Sequence, residues 1–278
     1  MERTMSLSCV EIDERERLRL ALSHDPVTAA YLLGDLEPSF FEHCRWFVAT
    51  YHERICGIVL LYGGLSKPCL LSWGAPDAVE AIVRTFACEW PPGGYGKILN
   101  AHQHAFQDVL LFSGIERMWN MGLRQDLFEA SIPSLEKPNV TCRLLNVEDS
   151  LSSILAIYED YPGHYFESSQ LESGVYAGCF VEGELVGIAG THTYAPSVGV
   201  SCLGNIVTAT KHRGKGYARM CIAFLVQELQ QRGCKHIALN VNQKNHAAIA
   251  CYRSLGFVFH NTAMDVVFSR VDGELDLS

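Results

Sequence analysis

The stretch HRGKGYARM, residues 212–220, sets two glycines and three basic side chains immediately after an apolar run. Glycine allows backbone conformations that other residues resist, so that successive N–H groups can point at one anion. A helix starting at Tyr217 adds unpaired backbone donors and the positive end of its dipole. Arg213, Lys215 and Arg219 bring full charge to the same place. Such a turn suits a pyrophosphate. The glycine pair alone leaves a plain solvated loop equally open. A dinucleotide fingerprint is excluded because its third glycine falls at Arg219, and no Walker A loop is present. The similar run PPGGYGK, residues 91–97, is incomplete and reads as a surface loop.

The neighbours of the loop must position it. Upstream, VGVSCLGNIVTAT reads as the strand that feeds it, preceded by a hairpin turning at Glu182-Gly183. Downstream, residues 217–232 form an amphipathic helix stopped by Gly233, HIALNV is a short strand, and residues 245–255 form a helix stopped by Gly256. Asn245 suits that helix as N-cap. VTCRLLN is a strand and residues 147–161 a helix, while FVFH and AMDVVF close the sheet. The first half shows a similar order: helices over residues 13–22 and 26–33, a hairpin at His52-Glu53-Arg54, the strand PCLLSWG, a helix over 77–87 with Asp77 as N-cap, and the strands KILNA and RMWNMGL. DERERLRL reads as a solvated helix face and WFVATY as core. SIPSLEKPNVT, residues 131–141, has the prolines of a connector. The expected domains are therefore 1–133 and 139–278, of α+β class, each a mixed but mostly antiparallel sheet flanked by helices.

The chain has 278 residues, 48% hydrophobic and 19% charged, with a net charge of −9. That excludes a general nucleic-acid binder, which needs a basic footprint. The charged N-terminus has no apolar signal core, and no stretch approaches the roughly 20 apolar residues of a membrane span. Eleven scattered cysteines without CxxC spacing point to no zinc site and no disulfide framework. Cys202, Cys221 and Cys251 read as core thiols, and a reducing cytoplasm is the expected location.

RGKGYA fits the pattern R/Q-x-x-G-x-G/A through Arg213, Gly216 and Ala218. With LGNIVTAT before it and NQKNHAAIACYRSLGF after it, the C-terminal half resembles the GNAT superfamily of acyl-CoA-dependent N-acetyltransferases. It looks most like bacterial members related to glycine N-acyltransferases, in which the first half is a degenerate copy of the fold. The first half carries no R-x-x-G-x-G/A match, so no coenzyme is expected there. The resemblance implies acetyl-CoA as ligand and a primary amine of a small molecule as acceptor. It implies that backbone amides of Gly214, Lys215, Gly216, Tyr217 and Ala218, with Arg213 and Lys215 beside them, hold the pyrophosphate. It also implies that main-chain groups of Ile206, Val207 and Thr208 pair with the pantetheine arm, and it gives Asn245 a second possible role in contacting the coenzyme. No metal, nucleic acid or membrane partner is implied, and oligomeric state stays open.

Tyr252, two turns into its helix, is placed to protonate the departing thiolate: a phenol of pKa about 10 can protonate a thiolate of pKa about 8.5. Many relatives carry a glutamate on the strand before the phosphate loop, but no Asp or Glu stands between Glu184 and Arg213. His192 is the candidate base, having a pKa suited to the task; Glu172 is another, and His164 and Tyr165 could line the acceptor site. The missing carboxylate leaves a rival, a non-catalytic acyl-CoA-binding or sensing module.

Overall fold

The computed structural model describes residues 7–132, 138–146, 151–159, 161 and 166–271. The chain forms two compact units, Met1–Trp119 with Asn261–Ser278, and Asn120–His260. The division therefore falls at Asn120 and His260 instead of in the proline-bearing segment, part of which (133–137) lies outside the described residues.

The first unit contains β1 (Ser8–Ile12), α1 (Arg15–Leu22), α2 (Ala30–Gly34), α3 (Pro38–Phe41), β2 (Cys44–Tyr51), β3 (Arg54–Tyr62), β4 (Cys69–Gly74), α4 (Pro76–Phe86), β5 (Gly93–Leu99) and α5 (Gln103–Phe106). Strand β6 (Leu110–Leu123) leads out of it. β1 to β4 pair antiparallel in sequence order, and β4 pairs with β5 in parallel. The Asn120–His260 unit contains α6 (Gln125–Ser131), β7 (Val140–Leu145), α7 (Leu151–Glu159), α8 (Gln170–Ser173), β8 (Tyr176–Val181), β9 (Glu184–Ala195), β10 (Val200–Thr208), α9 (Tyr217–Gln231), β11 (His236–Asn242) and α10 (His246–Arg253). Its pairing repeats that of the first: β7 to β10 are antiparallel neighbours, and β10 runs parallel to β11. Each unit is thus the same mixed sheet with helices packed against it.

The final strand departs from expectation. FVFH and AMDVVF are one strand, β12 (Phe257–Arg270), not two. From Asn261 onward it belongs to the first unit, where Ala263 to Ser269 pair antiparallel with Leu99 to Gly93 of β5. Local pattern shows that a strand exists, but its partner is set by contacts remote in sequence.

PPGGYGK is likewise not a surface loop, since Gly93 to Lys97 lie in β5. Glycine serves close packing there: a Cβ on Gly94 would stand 2.3 Å from the Pro68 carbonyl oxygen, and one on Gly96 2.9 Å from Val266 Cγ2. Asp77 is not an N-cap either. Ala75 holds that position and Pro76 opens the helix, where its missing N–H costs nothing. The helix expected from residue 26 begins at Ala30. Of the helix over 147–161, Leu151–Glu159 is described as helical, and 147–150 lie outside the described residues.

Burial follows the apolar pattern. α1 hides Leu18 and Leu22 and exposes its charged face, while Trp46, Phe47, Val48 and Ala49 of β2 are buried. α9 buries Met220, Cys221, Ile222, Ala223, Leu225, Val226 and Leu229. Each large aliphatic among these contributes about 1.5–3 kcal/mol of transfer free energy, so packing anchors the helix that opens at the phosphate loop. All eleven thiols are free; Cys179, Cys202, Cys221 and Cys234 are buried, Cys251 is half-buried and Cys88 is exposed.

In the first unit the pairing of β4 with β5 ends at Leu71↔Lys97, and a buried histidine takes over. His102 Nε2 lies 3.0 Å from the Gly74 carbonyl oxygen, and its Nδ1 2.8 Å from Ser72 Oγ. A carbonyl only accepts, so Nε2 carries the proton and the Ser72 hydroxyl donates to Nδ1. Ser72 Oγ in turn accepts the Leu99 N–H at 3.2 Å. Burial lowers the His102 pKa below its ordinary value. The unfolded chain then takes up the proton first as pH falls through about 6.5, and stability is lost toward acid. Urea unfolding midpoints are expected to drop between pH 7 and pH 5. His102→Ala should cost about 2 kcal/mol at pH 7 and flatten that pH dependence; an unchanged slope would contradict this origin.

Candidate functional site

In the Asn120–His260 unit, β10 delivers the chain to the phosphate loop. Its pairing with β11 runs from Val200↔His236 to Leu203↔Leu239 and stops there. On its other edge β10 has a bulge: the register with β9 shifts between Gly204↔Gly190 and Val207↔Ile188. Asn205 and Ile206 occupy the shift, both half-buried, and Asn205 takes a left-handed φ of 51°. A bulge turns local backbone groups away from regular pairing. The parallel strands therefore part at the level where an extended ligand could pair with β10. Val207 is buried, and Thr208 pairs with Gly187 and accepts Arg213 Nε–H on its carbonyl at 3.2 Å.

The loop follows at once. Ala209 N–H bonds to the Val186 carbonyl at 2.9 Å, and a short turn over Thr210–His212 leads into the glycines. Gly214 and Gly216 have φ of 75° and 84°, and a Cβ added to either would meet no protein atom within 4 Å. Gly216 is the N-cap of α9, so no side chain caps the helix. Left-handed glycines before an uncapped helix of this length present backbone donors to open space, as anion binding requires. Arg213 and Lys215 are exposed beside them, and Tyr217 and Ala218 begin the helix half-buried. Arg219 does not join this group: its Nη2 donates to the carbonyl oxygens of Ser131 at 2.6 Å and Ser254 at 3.4 Å. Lys211 is engaged as well, paired with Glu184 at 2.6 Å.

The first unit lacks this apparatus. Its fourth strand passes to its helix through the single residue Ala75, where the other unit uses residues 209–216. Pro76 removes an N–H, and Asp77 places a carboxylate in the first turn. The edge that β10 leaves open is, in β4, occupied by His102 and Ser72.

Asn245 is the N-cap of α10, its Oδ1 accepting Ala248 N–H at 3.1 Å. Tyr252, on the same helix, is buried with Ile249 and meets the Phe257 ring edge-on at 6.1 Å. Burial pushes its phenol well above the ordinary value, with Cys251 and Tyr161 adding to the effect. The group therefore stays protonated throughout the neutral range, and its proton is harder to release than that of a free phenol.

His192, on β9, is exposed, with Nε2 3.2 Å from Asn205 Oδ1. Asn205 also bonds through its side chain to Gln170 and Tyr176, and its carbonyl accepts the Tyr158 hydroxyl at 2.8 Å. Gln170, Tyr176, Tyr158 and Asn205 were not singled out by the sequence, although a Gly-Asn pair inside an apolar strand is a bulge signal. Glu172, two residues from Gln170, is exposed on α8. His164 and Tyr165 lie outside the described residues.

A mixed sheet whose parallel fourth and fifth strands part above a glycine-loop helix is the GNAT fold. Residues 143–257 match the family model described as Acetyltransferase (GNAT) family. Streptothricin acetyltransferase of Streptomyces lavendulae is 30% identical over 93 residues, 34% of this chain and 49% of the relative. An uncharacterized N-acetyltransferase of Bacillus subtilis (strain 168) is 37% identical over 59 residues, 21% of this chain and 24% of the relative. The chain thus spans about half or less of the curated relatives it matches. Among solved structures, a Drosophila protein superposes with a TM-score of 0.69 at 14% identity, covering 95% of this chain and 98% of that one. A tandem GNAT protein from the clavulanic acid biosynthesis pathway gives 0.58 at 12% identity, with the same coverage of 95% and 98%. At such identities these likenesses speak for the fold.

Proposed function

We propose that the protein is an N-acetyltransferase that moves an acetyl group from acetyl-CoA to a primary amine of a small molecule, within the branch related to glycine N-acyltransferases. The observation that carries this reading is the pair of left-handed glycines opening α9 where β10 and β11 part. The residues fit the coenzyme: open space at both glycines admits a phosphate, and the β10 edge has backbone groups to offer an extended arm. In this reading the Asn120–His260 unit carries the catalysis, and the unit Met1–Trp119 with Asn261–Ser278 is a degenerate copy without a coenzyme.

Bound acetyl-CoA supplies a thioester carbonyl open to direct attack. N–H groups from Gly214 to Ala218, with Arg213 and Lys215, hold its pyrophosphate, and the backbone at Ile206, Val207 and Thr208 aligns the arm. Asn245 caps α10 and reaches the coenzyme only through that helix. His192 takes a proton from the attacking amine as the N–C bond forms. Tyr252 gives its proton to the sulfur as the C–S bond breaks.

The test follows free thiol and acetylated product by mass spectrometry across a panel of small primary amines. Amine-dependent thiol release, matched one-to-one by acetylated amine, is expected. Tight coenzyme binding with no turnover of any amine would favour the non-catalytic acyl-CoA-binding module instead, as the absent carboxylate between Glu184 and Arg213 suggests.

A further inference from the structure

We infer that Asn205 is the positioning residue for His192, holding its ring in the tautomer with Nε2 protonated and Nδ1 as the basic nitrogen. The catalytic consequence rests on the acetyltransferase reading above; the tautomer itself does not.

The assignment follows from a chain of hydrogen bonds that starts at a group of known polarity. The Glu167 backbone N–H can only donate, and it lies 3.1 Å from Gln170 Oε1, which fixes that atom as the carbonyl oxygen. Gln170 Oε1 then has to receive a donor from Asn205, and Nδ2 stands 2.9 Å away. The same Nδ2 lies 2.8 Å from the Tyr176 hydroxyl, which turns its own hydrogen toward Gln170 Oε1 at 3.2 Å or the Thr191 carbonyl at 3.3 Å. With Nδ2 committed twice, Asn205 turns Oδ1 toward His192. An amide oxygen only accepts, so His192 Nε2 bears the hydrogen across the 3.2 Å contact.

The surrounding backbone is shaped to hold these rings. A Cβ on Gly204 would lie 2.2 Å from His192 Cδ2, and one on Gly190 2.1 Å from Tyr176 Cε1. Neither glycine has a positive φ, so their role is room for the two rings rather than backbone freedom. Asn205 itself is left-handed, and Tyr158, fully buried and stacked on Phe166 at 4.5 Å, pins its carbonyl. When Nδ1 takes a proton from the amine, the imidazolium keeps its Nε2–H bond to Asn205. Keeping that bond through the proton transfer is what positioning a base requires.

Long-range proton–nitrogen correlation on histidine-labelled protein reads the tautomer without any turnover. The wild type is expected to show His192 with hydrogen on Nε2; Asn205→Leu and Gly204→Ala should each lose that preference, the second by displacing the ring while leaving the amide in place. With an amine that the enzyme acetylates, both variants should lower kcat by about 10- to 100-fold with KM for acetyl-CoA within about twofold. Adding His192→Gln to Asn205→Leu should cost little more, since residues acting as a unit are non-additive. A wild-type spectrum with hydrogen on Nδ1 overturns the inference, as does unchanged kcat in Asn205→Leu alongside a disabled His192→Gln. If Asn205→Leu does not fold, Gly204→Ala decides alone. Absence of turnover in the wild type refutes the acetyltransferase reading, and the spectrum still judges the tautomer.

Discussion

Replacing Gly216 with valine is expected to weaken coenzyme A binding by at least about 100-fold, equivalent to ~2.7 kcal/mol, while the fold survives. Two effects combine. A β-branched residue resists the φ of 84°, so the cap tends to leave the geometry that aims its neighbours' N–H groups. Its side chain would also fill the open space the phosphate is to occupy, since no protein atom lies within 4 Å of that Cβ position. The matching control is Gly183→Val in the β8–β9 hairpin. Gly183 has a φ of 85° and equally open surroundings, so it carries similar backbone strain away from the loop. Calorimetry should show binding crippled in the first variant and intact in the second, with comparable losses of Tm. Equal affinities in the two variants would remove the loop from the coenzyme site.

Tyr252→Phe is expected to lower kcat by about 100-fold with little change in KM for acetyl-CoA. The phenol is buried and its pKa raised, so the donor is loaded at every pH from 6 to 9 and should add no limb to the rate profile there. Removing one hydroxyl preserves the ring against Phe257, which keeps packing and coenzyme affinity close to wild type. Turnover that survives near neutral pH would take the general-acid role away from Tyr252. Acyl donors with more acidic leaving thiols offer a further check, because a better leaving group needs less help and should narrow the gap between variant and wild type.

Much of this was legible in the residues because it is local. Glu182-Gly183 makes the hairpin turn with both residues left-handed, Gly233 and Gly256 follow helix ends at positive φ, and Asn245 caps α10. Each of these depends on a few consecutive residues. The same holds for the loop, whose glycines are left-handed as their type suggests. What the sequence concealed is long-range. β12 pairs with a strand more than 150 residues earlier, for which no local signal exists. PPGGYGK looked like a phosphate loop gone wrong, yet its glycines answer to Pro68 and Val266, remote in sequence. Arg219 looked like a third phosphate ligand until the carbonyls of Ser131 and Ser254 claimed it. Asn205 escaped notice because its partners, Tyr158, Gln170, Tyr176 and His192, converge on it only after folding.

The two units also explain each other. Both run four antiparallel strands into a parallel fifth, yet only one keeps a loop before its helix. In the other, Pro76 and Asp77 remove donors and add negative charge, and His102 occupies the strand end. One coenzyme per chain is the expected stoichiometry.

Amide-resolved nitrogen–proton spectra recorded while coenzyme A is added test the central claim most directly. The account predicts the largest shifts at Gly214 to Ala218 and along Gly204 to Thr208, saturating at one equivalent, with Asp77 to Val79 unmoved. Shifts centred on the start of α4, or a phosphate loop that stays silent while coenzyme binds, would contradict it.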